Sequence, residues 1–175
     1  KATDLQTSMA LSLLKSTLLD SESSALRRAL MDAGVGQIIN GGYTSSMYQP
    51  VFSIRASGSE KELRDKFISV IYKTLQDITI NVTNLFFTVL SAQENYRQSV
   101  ADYEDRKHLF EIAKKRLDLG TTTKSEVLQM ELSLLNAKMS VNSTSLTLRT
   151  QLFSLFSYLR IVDYGDIELL PPYYM

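Results

Sequence analysis

The chain has 175 residues, and its 19 lysines and arginines balance its 19 aspartates and glutamates. Without a net positive field the sequence gives no sign of nucleic-acid binding. The absence of cysteine excludes disulfides, thiolate metal ligands and cysteine nucleophiles. The most apolar stretches, residues 9–19 and 85–90, are shorter than the ~20 residues that a membrane-spanning helix needs. Because the stretch after Lys1 does not resemble a signal peptide, we expect a cytoplasmic protein or a processed or trimmed chain.

The first segment of the chain, residues 1–34, carries leucines at helical spacing and ends at Gly34. It predicts one helix or two shorter ones. The next segment, residues 35–58, places β-branched and aromatic residues between glycines, which predicts a strand or a short hairpin. Pro50 restricts that strand to a sheet edge or a strand end.

Glycine and proline are absent from residues 59–119 and from residues 121–164. Because both residues are costly inside a helix, this distribution predicts two long helices joined at Gly120. The pairs Ser59/Glu62 and Thr123/Glu126 have the spacing of capping boxes and would begin the two helices. We therefore predict an antiparallel helical hairpin over residues 59–160, with its tip at residues 119–125.

Apolar periodicity predicts how the two long helices pack. The first carries a heptad pattern that is typical of coiled-coil packing: Leu85, Val89, Ala92, Tyr96, Ser99, Tyr103, Arg106, Phe110, Ala113 and Leu117. The second carries two seams: Val127, Met130, Leu134, Ala137, Val141, Leu148 and Leu155, and then Leu128, Leu132, Leu135, Met139, Leu146, Phe153 and Phe156. Since a helix in a simple pair needs one seam, two seams indicate neighbours on both sides. The fold class is all-α dominated, with a coiled-coil hairpin, a shorter stacked N-terminal helix and a short β segment.

Four segments of the sequence resemble those of a known family. They are Tyr48-Gln49-Pro50-Val51-Phe52, residues 81–94, Arg116-Leu-Asp-Leu-Gly120 followed by Ser125-Glu126-Val127-Leu128, and Ile167-Glu-Leu-Leu-Pro-Pro172. In this order and spacing the chain from Met47 to Pro172 resembles the TolC-like outer-membrane efflux protein family. The resemblance makes this chain one repeat of a two-repeat protomer, with residues 161–175 as the connector to a missing second repeat.

The resemblance also implies an assembly and a function. Such protomers form homotrimers with a β-barrel in the outer membrane of a Gram-negative bacterium and an α-helical tunnel in the periplasm. The channel passes substrates passively, while an inner-membrane transporter supplies energy through a periplasmic adaptor, the membrane fusion protein. Residues 35–57 are short for two barrel strands, so we expect a barrel remnant, and residues 1–34 are assigned by position alone.

The hairpin turn is the main candidate site. A helix cap followed by a new N-cap explains it structurally, because every helical hairpin needs one. The resemblance adds that the turn is the tunnel tip on which the adaptor docks, with the contact residues Arg116, Leu119, Gly120, Thr121 and Thr122. Ser125 and Glu126 would line or tether the aperture, although a carboxylate in the first helical turn is also a simple cap.

The sequence contains no recognisable catalytic, cofactor or metal motif, so we expect a protein that is not an enzyme and has no cofactor. His108 has no partner at metal-ligand spacing and is interpreted as a solvated residue. The aromatic stripe Tyr96, Tyr103 and Phe110 is interpreted as packing. Two alternatives stay open: a plain coiled-coil scaffold, which needs one seam and no strand, and a periplasmic adaptor hairpin, which lipoyl-like β halves would flank.

Overall fold

The computed structural model describes residues 5–44, 50–161, 165 and 167–171. Some of the predictions fall on residues outside the described ranges. These residues are Tyr48 and Gln49, and 162–164, 166 and 172–175 of the connector. The described elements are α1 (Leu5–Lys15), a π-helical segment (Ser16–Asp20), α2 (Ala25–Asp32), β1 (Ile38–Thr44), β2 (Val51–Ser57), a 3₁₀ turn (Lys61–Leu63), α3 (Arg64–Asp118) and α4 (Lys124–Tyr158). The predictions of a mostly helical fold, a long helix pair and a short β segment are confirmed.

The chain divides into two compact units, Lys1–Asn81 and Val82–Met175. The first unit has a core of its own, formed by Leu18, Leu19, Leu26, Leu30, Val35 and Ile39. Apolar residues in the first turns of α3 pack against this core: Phe67, Val70, Ile71, Leu75 and Ile78. The boundary therefore falls inside α3, and the beginning of that helix belongs to the first unit.

The two strands pair antiparallel in a two-stranded sheet. Ile39, Gly41 and Tyr43 lie opposite Ala56, Ile54 and Phe52 in the register. These residues are buried or half-buried, whereas their chain neighbours on the other face are mostly exposed. One face of the hairpin thus covers the core of the first unit.

Gly41 allows the π-helical segment to approach the sheet. A Cβ at this position would lie 2.7 Å from the Cβ of Leu19, whose side chain is buried. Since real Cβ atoms are not found at such separations, Gly41 is required for this packing. At Gly42 an added Cβ would meet only the Oγ of Ser53, at 2.9 Å, which can rotate away.

In the second unit α3 and α4 pack along the predicted seams. Val89, Ala92 and Ser99 on α3 are buried, and the buried residues of α4 are Val127, Ala137, Leu155 and Phe156. Arg106 occupies a heptad position but is exposed, and its guanidinium donates to the Ser133 hydroxyl on α4 at 2.8 Å. A charged residue at this seam position is tolerated because its head group lies at the rim of the interface.

The predicted capping box at Ser59 and Glu62 is wrong. Helix formation begins with the 3₁₀ turn at Lys61, so the cap position falls on Glu60, where no side-chain cap bond forms. The hydroxyl of Ser59 instead donates to the carbonyl of Glu60 at 3.3 Å. Within the described part of the chain no helix combines the length and the hydropathy needed to span a bilayer.

Replacement of Gly41 by alanine should destabilise the first unit by about 1–3 kcal/mol, because the added methyl group displaces Leu19. Native-state hydrogen exchange should show faster exchange of the amides in β1 and in α2. Gly42→Ala is the matched control and should have a much smaller effect. Equal effects of the two substitutions would contradict the close approach of Leu19.

Candidate functional site: the hairpin tip and the apolar stripe of α4

The turn between α3 and α4 begins with a left-handed residue. Gly120 has a φ of +71°, and its N–H bonds the carbonyl of Leu117 at 2.9 Å, while the N–H of Thr121 bonds the carbonyl of Arg116 at 2.9 Å. This pair of bonds is the Schellman arrangement, which satisfies the last carbonyls of a helix. The predicted role of Gly120 as the cap of the first long helix is confirmed.

The start of α4 forms the predicted capping box. The hydroxyl of Thr123 accepts from the N–H of Glu126 at 3.2 Å, and the Glu126 carboxylate accepts from the N–H of Thr123 at 3.0 Å. The hydroxyl of Thr122 donates to the same carboxylate. Three residues after Gly120 the chain has therefore reversed and begun a new helix.

The local hydrogen bonds favour the ionised form of Glu126. The hydroxyl of Thr122 contributes most to lowering the pKa of this carboxyl, followed by the backbone N–H of Thr123, and the charge of Arg116 contributes least. Desolvation opposes this shift. Since the folded-state pKa lies below the ordinary glutamate value of 4.5, the stability from this cap is fully present above that pH. It is lost as the pH falls through the folded value.

The structure brings all the sequence-predicted site residues together at one turn. Leu119 is the most exposed apolar residue among those described, at 77%. Arg116, Thr121, Ser125 and Glu126 are exposed as well, and Thr122 is half-buried. A Cβ at Gly120 would meet nothing within 4 Å, so the turn presents its backbone openly to solvent.

The two predicted seams of α4 differ in burial. The first seam faces α3, as the burial of Val127, Ala137 and Leu155 shows. In the second seam Phe156 is buried, but the other side chains are 53 to 69% exposed. These exposed side chains, which we call the apolar stripe, are Leu128, Leu132, Leu135, Met139, Leu146 and Phe153. The stripe runs over 26 residues, from Leu128 to Phe153, or about 40 Å of helix.

Polar contacts join α3 to α4. The hydroxyls of Ser99 and Thr144 lie 2.7 Å apart across the interface, and Ser99 is buried. Each hydroxyl also bonds a carbonyl of its own helix, that of Tyr96 for Ser99 and that of Ser140 for Thr144. Together with the Arg106–Ser133 bond, the Ser99–Thr144 pair marks two levels along the hairpin.

Sequence reasoning missed Gln93. Its side-chain amide donates to the carbonyl of Leu169 and accepts from the N–H of Leu169, both at 3.0 Å. The carboxamide thereby pairs with the backbone as a neighbouring strand would, and it holds residues 167–171 against the hairpin. No local signal marks Gln93, because its partner lies 76 residues away in the sequence.

The described residues contain no group of three or more His, Cys, Asp or Glu side chains placed to hold a metal ion. His108 is exposed, as expected. The aromatic residues Tyr96, Tyr103 and Phe110 are half-buried, in agreement with a packing role. The Nζ of Lys114 lies 4.4 Å from the centre of the Phe110 ring, which adds a cation–π contact at the edge of the interface.

Comparisons with known proteins show similarity over less than half of the chain. One relative is protein HypA of Clostridium perfringens, 31% identical over 80 residues, which are 46% of this chain and 8% of HypA. Another is presequence protease 1, chloroplastic/mitochondrial, of Arabidopsis thaliana, 33% identical over 79 residues, which are 45% of this chain and 7% of the protease. No family model matches the chain, and no solved structure matches it.

Replacement of Thr122 by valine should raise the pKa of Glu126 toward its ordinary value, because the largest stabilising bond to the carboxylate is removed. A carbon-13 NMR titration of the Glu126 carboxyl measures this shift. Thr121→Val is the matched control, since the hydroxyl of Thr121 bonds the carbonyl of Arg116 and not Glu126. An unchanged pKa in the Thr122 variant, or equal shifts in both, would contradict the assigned cause.

Proposed function

We propose that this chain is a protomer fragment of an outer-membrane efflux or secretion channel. The hairpin of the second unit would form part of the wall of a periplasmic tunnel. Substrates would pass through passively, and an inner-membrane pump would drive export through an adaptor. The protein would act as a conduit and not as an enzyme. The observation that carries this proposal is the apolar stripe of α4.

The stripe supports a wall of helices because it lies on the side of α4 that α3 leaves uncovered. Six large apolar side chains share this face, with Asn142 and Arg149 between the last three, and soluble proteins rarely leave such a surface exposed. A second helix packed on the stripe would place α4 between two neighbours. The heptad-like spacing of the stripe fits a long helix as the occupant.

The turn at Gly120 supports the docking role of the tip. The caps on both sides are satisfied within the chain, so the turn needs no partner for its own stability. Leu119 nevertheless projects an apolar side chain into solvent. An exposed leucine beside an open backbone is suited to contact with the hairpin tip of an adaptor, with Arg116, Thr121 and Thr122 around it. Glu126 and Ser125 would then lie at the aperture.

Lysine substitutions in the stripe test the proposed wall. Sedimentation velocity of the full 175-residue chain should reveal closed assemblies of three or more copies. The double variant Leu132→Lys/Met139→Lys should weaken association at least about a hundredfold, because two charges must be desolvated in the interface. Helicity by circular dichroism should be unchanged.

Ser140→Lys provides the matched control, since Ser140 is exposed on the same helix and is not three or four residues from any residue of the stripe. This variant should assemble like the unchanged chain. A species that stops at the dimer would favour the plain coiled-coil scaffold. A chain that stays monomeric at every concentration would remove the support that the stripe gives to the channel.

A further inference from the structure

The α3–α4 hairpin has a groove on each side of its interface. Residues 167–171 lie along one side, where Gln93 binds Leu169. Residues two apart in a helix point about 200° away from each other, so Asn95 lies on the opposite side of α3 from Gln93. The groove on the Asn95 side is open and has a volume of about 750 Å³.

The lining of this open groove is polar and uncharged. It includes three side-chain carboxamides, Asn84, Asn95 and Gln151, together with threonine hydroxyls and the ring of Phe87. No residue that lines it carries a charge. Among the described residues no protein group bonds these three carboxamides; Asn84 and Asn95 are exposed and Gln151 is half-buried.

A carboxamide offers one acceptor and two donors, as a peptide backbone offers one of each. Gln93 shows in the same hairpin how such a group pairs with an extended segment, with both bonds at 3.0 Å. The open groove repeats this chemistry at three positions. The threonine hydroxyls can act only as acceptors, since Thr88 donates to the carbonyl of Asn84 and Thr147 to that of Ser143. Among the lining groups only a carboxamide carries an acceptor oxygen and a donor nitrogen as separate atoms, the arrangement with which Gln93 pairs with Leu169.

We propose that the open groove binds an extended, uncharged polypeptide segment through backbone hydrogen bonds to Asn84, Asn95 and Gln151. From Asn84 to Asn95 the groove covers eleven residues of helix, or about 16 Å, which an extended chain spans with about five residues. The absence of charge in the lining disfavours acidic or basic segments, because their charges would lose hydration without gaining a partner. This inference does not depend on the proposed channel function.

The test uses the full chain and a blocked pentapeptide of alternating threonine, valine and serine residues, followed by NMR titration of the amide signals. The signals of residues 84–95 and 144–151 should shift on binding. Asn95→Ala and Gln151→Ala should each raise the Kd about tenfold, since each removes up to two hydrogen bonds. Gln129→Ala, an exposed carboxamide outside the groove, is the control and should leave the Kd unchanged.

Two further probes separate backbone pairing from other modes. The same peptide with every backbone amide N-methylated keeps its side chains but loses its backbone donors, so its binding should be abolished. Chitotetraose, a neutral glycan, should not shift the signals. Equal binding of the methylated peptide, binding of the glycan in place of the peptide, or no shift with the unmethylated peptide would overturn the inference.

Discussion

The helix α4 has two apolar faces, and α3 covers only one of them. Val127, Ala137 and Leu155 are buried against α3, whereas the stripe that includes Leu132 and Met139 is in contact with solvent. Burial of apolar side chains is the dominant favourable term in folding and in association. The hairpin of the second unit is therefore stabilised along one face, and in the proposed channel the second face would supply the driving force for assembly.

Polar contacts join α3 and α4 at two levels along this apolar interface. The Ser99–Thr144 pair lies within the interface, and the Arg106–Ser133 bond lies at its rim, closer to the tip. At the tip the backbone bonds around Gly120 and the carboxylate of Glu126 satisfy both helix ends. The turn can therefore be exposed and still be well defined, which a docking surface requires.

Local signals in the sequence predicted the parts of the fold that depend on neighbouring residues. The roles of Gly120 and of the Thr123/Glu126 pair could be predicted, because a left-handed cap and a capping box each depend on only a few consecutive residues. The capping box predicted at Ser59 was wrong because a 3₁₀ turn shifted the helix start by one residue. The Gln93–Leu169 pair and the boundary at residue 81 were not predictable, since both depend on contacts between distant segments and α3 is continuous across the boundary.

The oxidation rate of Met139 is the most direct measure of whether the stripe becomes covered. Met139 is 69% exposed in the single chain, and Met9 in the first unit is 64% exposed and serves as the internal reference. With dilute peroxide and mass spectrometry, the rate at Met139 should fall several-fold as the protein concentration rises, while the rate at Met9 stays constant. A rate at Met139 that follows Met9 at every concentration would contradict the account.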